Sequence, residues 1–186
     1  KIGSYSSASV LAPRKGTTEF NHNEISLMLS WENEGRFKFF SELEMERPIS
    51  WNSNDRLDHQ NNYLDLERLY IDYNHSDKLN IRTGRFLTPA GRWNLLHAPP
   101  LVWTTSRPLA TSFLFPNGVN GVMLFGATPL HLGITDQTLE YSVFVEGLKD
   151  QVHDRGEIVY KDVAGAQFRL GNQFNVGLSL ATFKED

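Results

Sequence analysis

The chain contains no cysteine, so it has neither a disulfide framework nor a thiolate-ligated metal site. It also lacks any run of about 18 apolar residues, the length a membrane-spanning helix requires. Basic residues are not in excess: 18 lysines and arginines stand against 22 aspartates and glutamates, a formal charge of −4. That leaves no general positive field of the kind nucleic-acid binding needs. Catalytic signatures are missing as well. There is no G-x-S-x-G, no phosphate-binding loop of the G-x-x-x-x-G-K type, no G-x-G-x-x-G and no H-E-x-x-H. The six histidines, His22, His59, His75, His97, His131 and His153, are scattered through the expected connections without paired ligand spacing. Neither an enzyme nor a resident cofactor or metal is expected.

What the chain has is alternation. Ile25, Leu27, Leu29 and Trp31 share one parity, Glu24, Ser26, Met28 and Ser30 the other, the mark of a half-buried strand. After Glu32-Asn33-Glu34-Gly35 the pattern resumes, with Phe37, Phe39, Leu43 and Met45 opposed to Arg36, Lys38, Glu42, Glu44 and Glu46. Residues 63–73 are rich in strand formers but change parity, Leu64 and Leu66 falling on one and Leu69, Ile71 and Tyr73 on the other. A bulge, or a strand leaving the bilayer, gives such a switch. Further strands are expected at 2–11, 78–87, 119–127, 139–146, 164–170 and 174–183, which makes about nine strands and no helix.

Connection lengths alternate too: long at 12–23, short at 32–35, long at 47–62, short at 74–77, very long at 88–117, shorter at 128–136, long at 147–161 and short at 171–173. Outer-membrane barrels sort their loops in this way, with tight turns at one end and long loops at the other, whereas a soluble sandwich has no reason to. Mean hydropathy is no obstacle, since a barrel strand needs about 9–11 residues and shows lipid only every second one. The expected fold is an all-β, antiparallel transmembrane β-barrel, with residues 1–186 forming one domain. Nine is an odd count and bacterial barrels close on even ones, so the chain reads as the N-terminal part of a larger barrel of roughly 16 strands. Lys1 opens the sequence without a signal-peptide pattern, as expected for the mature form of an exported protein.

Residues 64–126 carry LDLERLYIDY, then LNIRTGRFLTPAGRWNLLHAPPLVWTTSRPLA, then FPNGVNGVMLFG. Gly84-Arg85-Phe86 followed by Pro89 and Gly91 resembles the gram-negative porin-like proteins grouped with the phosphate-selective porins, where a strand ending in Gly-Arg-Phe leads into a long third loop. His97-Ala98-Pro99-Pro100 and Ser106-Arg107-Pro108 resemble a less characterised branch of that family. The resemblance implies a passive channel in the bacterial outer membrane, often a homotrimer, with the third loop, here 88–117, folded into the lumen. It does not imply phosphate specificity, because the strands carry no dense ladder of arginines and lysines.

On the barrel expectation, the polar parity lines a water column, which places Arg36, Lys38, Glu42, Glu44, Arg82, Glu140 and Arg169 inward. Segment 88–117 holds Arg92 and Arg107 among Trp93, Trp103, Phe113 and Phe115, too apolar for a solvated outside loop, and these two arginines are the expected constriction charges. Passive diffusion of small hydrophilic or anionic solutes follows, with outer-membrane lipid as the other partner. A soluble ligand-binding β-barrel and a non-conducting structural outer-membrane barrel stay open as alternatives.

Overall fold

The computed structural model describes residues 1–54, 62–92, 94–96, 101, 115–132, 135–149, 160–172 and 175–185. The described chain is all-β. Nine strands follow one another as β1 (Ile2–Leu11), β2 (Glu19–Glu32), β3 (Phe37–Asn52), β4 (Tyr63–Ser76), β5 (Leu79–Leu87), β6 (Gly118–Leu132), β7 (Thr135–Leu148), β8 (Tyr160–Gly171) and β9 (Asn175–Glu185). They form a single antiparallel sheet in sequence order, so each strand pairs with the one before and the one after it, and β1 and β9 end the order.

Local chemistry explains the tight turns. Asn33 accepts the Gly35 N–H on its side-chain oxygen at 2.9 Å, and Ser76 accepts the Leu79 N–H at 3.2 Å, both ways in which a short polar side chain closes a turn in place of backbone. Gly84 has φ 125, a conformation open to glycine and strained for other residues, which is why the Gly-Arg-Phe stretch begins with glycine.

Several strands run further than their sequence pattern suggests. β2, β7 and β8 begin four or five residues early, the expected connection 47–62 begins only after Asn52, and the expected connection 128–136 shrinks to residues 133–134, between β6 and β7. Proline hides the extensions of β3 and β6. Pro48 and Pro129 interrupt the alternation and read as strand breakers, yet the ladder continues through Pro129, which lies opposite Thr138. The corrected boundaries sharpen the alternation of connections: 12–18, 53–62, 88–117 and 149–159 are long, while 33–36, 77–78, 133–134 and 172–174 are short. The parity switch in β4 occurs inside a continuous strand, with Leu64 and Leu69 both exposed although they lie on opposite parities.

By its contacts the chain divides into two compact units, residues 1–31 with 40–69, and residues 32–39 with 70–186. In the first, burial runs opposite to hydrophobicity, and in the second it does so along part of the sheet. Within the first, Ile25, Leu27, Leu29, Trp31, Leu43, Met45, Ile49 and Trp51 are exposed, whereas Ser26, Glu42 and Glu44 between them are buried. Within the second, Ile71, Ile81, Val122, Leu124, Val143 and Val145 are exposed, whereas Asp72, Asn80 and Ser142 are buried. The second unit also buries a small apolar cluster of Phe86, Val119, Met123, Phe144 and Val163, with Tyr70, Phe125, Tyr160 and Phe183 packed against it.

Candidate functional site

On the polar face of the first unit, Glu42 is fully buried. Its Oε1 accepts from Ser26 Oγ at 2.8 Å, and its Oε2 accepts from Arg68 Nε at 2.5 Å. The Arg68 guanidinium lies 4.8 Å from the centre of the Phe40 ring. Strand geometry makes this possible: Ser26, Glu42 and Arg68 sit on β2, β3 and β4, three neighbours about 4.8 Å apart. Ser7 on β1 donates to Glu24 at 2.9 Å, and Glu44 lies in the electrostatic reach of Glu24, Glu46 and Glu67.

On the polar face of the second unit, Arg82 forms a two-pronged pair with Asp72, Nε to Oδ1 at 2.7 Å and Nη2 to Oδ2 at 2.8 Å. Its guanidinium sits 3.7 Å above the Tyr70 ring and 5.4 Å from that of Phe125. This planar, doubly bonded and stacked arrangement suits arginine and not lysine. Arg169 pairs with Glu140 across the β7–β8 ladder. The charges of Arg68, Arg82 and Arg169 are thus each met by a carboxylate.

Segment 88–96 is held by its own network. Thr88 and Asn94 are buried, and the Asn94 side-chain amide lies 2.7 Å from the Thr88 carbonyl, 2.8 Å from its hydroxyl and 2.7 Å from the Asn117 carbonyl. The Thr88 N–H donates to the same Asn117 carbonyl at 2.9 Å, and its hydroxyl donates to that of Pro116. The two ends of the long connection are thus tied together beside β5 and β6. Replacing Asn94 with alanine removes the side-chain hydrogen bonds of the tie while each carbonyl keeps a backbone donor, from Ala90 and Thr88, an expected cost of about 1–3 kcal/mol. For a chain of this size each kcal/mol lowers the midpoint by roughly 2–4 °C. A thermal melt reads the change, and an unshifted midpoint contradicts the network's role.

Beyond the tie the chain turns back over the polar face. Gly91 donates its N–H to Ser179 Oγ at 3.0 Å, and its carbonyl accepts from Gln167 Nε2 at 3.1 Å. Those partners belong to β8 and β9, well inside β9, whose far end is Glu185. Four residues beyond Leu87 the chain spans at most about 14 Å. Flat strands at their usual spacing would put β8 and β9 about 14–19 Å from β5, before counting the distance back from the strand ends. The strands of this unit therefore curl around that face. Ala90, Gly91, Phe115, Ser179, Leu180, Ala181 and Phe183 line a cavity of about 350 Å³ beside this contact.

The expected site residues are distributed as follows. Glu42 and Glu44 lie on the polar face of the first unit and Arg82 on that of the second. Arg92 follows Gly91 directly and is exposed. Lys38 is exposed and pairs with Glu32 at 2.6 Å beside the β2–β3 turn. Arg36, expected inward, lies just before β3 and donates to the Tyr73 hydroxyl at 3.1 Å. Tyr73 contacts Phe37 ring to ring and shares the parity of the exposed Leu69 and Ile71, so Arg36 sits at the rim of the apolar face. Arg107 lies outside the described residues. Sequence inspection missed Arg68 and Asp72, the counter-charges of Glu42 and Arg82, together with Asn94, Gln167 and Ser179. Gln167 and Ser179 do fall on polar parities, but their shared partner is distant in sequence. Among the described residues no group of carboxylates and histidines is placed to hold a metal ion.

No family model matches the chain, and no solved structure matches it. It is 30% identical over 154 residues to an uncharacterized protein of Aquifex aeolicus, an alignment that covers 76% of this chain. The chain spans 34% of the length of that relative.

Proposed function

We propose that the chain supplies strands to a transmembrane β-barrel that lets small hydrophilic solutes diffuse passively across a bacterial outer membrane, with segment 88–117 narrowing the lumen. The observation that carries this is the inversion of the two faces: in both units a face of leucine, isoleucine and valine is exposed and buried polar side chains lie on the other, joined in the second unit by the Phe86–Phe144 cluster. In water an exposed face of leucine, valine, isoleucine and tryptophan is an aggregation hazard; against hydrocarbon it is the required surface. A soluble ligand-binding barrel would invert the pattern, with an apolar interior. No helix of the described residues is long and apolar enough to cross a membrane, and strands need none. The alternating long and short connections agree with a barrel inserted from one side.

The test is single-channel recording of the full-length protein in a planar bilayer under a salt gradient. Stepwise ohmic openings are expected. A protein that stays in solution without detergent speaks against the membrane, and one that inserts without conducting speaks for a structural barrel whose lumen is filled. That last outcome has a physical basis in the Phe86–Phe144 cluster, which occupies part of the polar face. In a conducting channel, neutralising Arg92 and Arg107 together should shift the reversal potential toward lower anion permeability, because removing cations from a narrow low-dielectric passage weakens the attraction for anions there. An unmoved reversal potential removes both residues from the constriction.

A further inference from the structure

Gln167 and Ser179 face each other in register on β8 and β9, and both reach the same backbone unit of the long connection. The Gln167 side-chain amide donates to the Gly91 carbonyl and to Ser179 Oγ, each at 3.1 Å, while Ser179 Oγ accepts the Gly91 N–H at 3.0 Å. The three groups close a ring in which Gly91 uses both its donor and its acceptor. Gly91 itself has φ +66, the left-handed conformation that turns both groups toward the wall and that residues with a Cβ pay strain to adopt. The chain on either side of Gly91 is already held by Thr88 and Asn94, which bond to each other. Without the ring the turn carrying Arg92 would be anchored on the β5–β6 side alone.

We propose that Gln167 and Ser179 form a latch that docks the turn at Gly91 against the far wall, making them positioning residues for Arg92. This rests on the proposed channel, whose narrowest part would then be set by a side-chain ring on two strands remote from the loop in sequence. The latch contains no charged group, so it holds equally across the ordinary pH range, and its release takes the loss of hydrogen bonds and not a change of protonation.

Two readouts separate the latch from the channel. In the cysteine-free chain, spin labels placed through Arg92→Cys on the turn and Thr182→Cys on exposed β9 report docking as a distance distribution in detergent, whether or not the protein conducts. One narrow distance is expected with the latch intact. Gln167→Ala removes two donated bonds and Ser179→Ala removes the acceptor of two; each should raise the ratio of undocked to docked turn roughly tenfold or more, seen as a second, broader population. Ser179→Ala keeps a small residue in the strand and serves where Gln167→Ala disturbs folding. In single-channel records of the same substitutions without labels, occupancy of a wider, higher-conductance level should rise by a similar factor. A distance distribution unchanged in the double variant overturns the latch. A broadened distribution in a protein that never conducts leaves the latch standing and sinks the channel.

Discussion

Placing an arginine at Leu124 should markedly weaken the folding of the chain into a bilayer. Leu124 sits mid-strand in β6, is 42% exposed and lies directly opposite Val143, itself 46% exposed, on β7. If this face meets hydrocarbon, a guanidinium there costs about 2–4 kcal/mol near the midplane, falling to about 0–1 kcal/mol at the interface. Val143→Arg should behave in the same way, since the two side chains occupy one cross-strand pair. His131→Arg is the control. His131 lies near the end of β6, is exposed and already pairs with Asp136 at 2.5 Å, so a cation there keeps both water and a partner. Folding into vesicles is followed against urea: Leu124→Arg should lower the stability by about 2–4 kcal/mol, a large fraction of a marginal stability, and His131→Arg by little. In a water-soluble protein the order changes, because an arginine on an exposed strand face is harmless and often improves solubility. Equal stabilities for the two variants would therefore rule out lipid contact at Leu124.

The same two parities show how much of this fold the sequence discloses. Period-two patterning placed β2, β7 and β9 within a few residues, and even the weakly patterned β1 lies at Ile2–Leu11. Face assignment also follows from parity, because each step along a strand flips the side chain. Pattern failed where proline intervened. Pro48 and Pro129 mimic strand ends, and only the neighbouring strand decides that the ladder continues past them. Pairing is the other loss. Arg68 and Glu42 are 26 positions apart and Gly91 and Ser179 are 88 apart. Their meeting depends on register and on the curl of the strands, neither of which is written in local periodicity. Arg36 shows the finer limit: parity puts it with Lys38 and Glu42, but it precedes the first residue of β3, where the rule no longer binds and Tyr73 supplies a nearer acceptor.

Removing Arg68 while keeping Glu42 should be among the most damaging single changes on the polar face. The Glu42 side chain is only 1% exposed and that of Arg68 20%, so Glu42 has little access to water once its partner is gone. Ser26 Oγ would remain as a single neutral donor at 2.8 Å. Leaving a buried charge unpaired costs about 3–5 kcal/mol, so Arg68→Met should lose a large share of the stability of an ordinary domain. The pair as a whole is a different matter, because desolvating two charges offsets most of their attraction. Glu42→Gln combined with Arg68→Met removes the buried charge and leaves an amide that still accepts from Ser26, so the double variant should recover most of what Arg68→Met loses. Equilibrium unfolding of the two single variants and the double variant closes the cycle. A double variant as unstable as the sum of its parts would mean that the two side chains act independently, and that Arg68 matters through its contact with Phe40 instead, the guanidinium lying 4.8 Å from that ring. Recovery would instead identify Glu42 as a residue whose charge is tolerated only because β4 brings a cation to it, tying three adjacent strands through Ser26, Glu42 and Arg68 on the face proposed to line the channel.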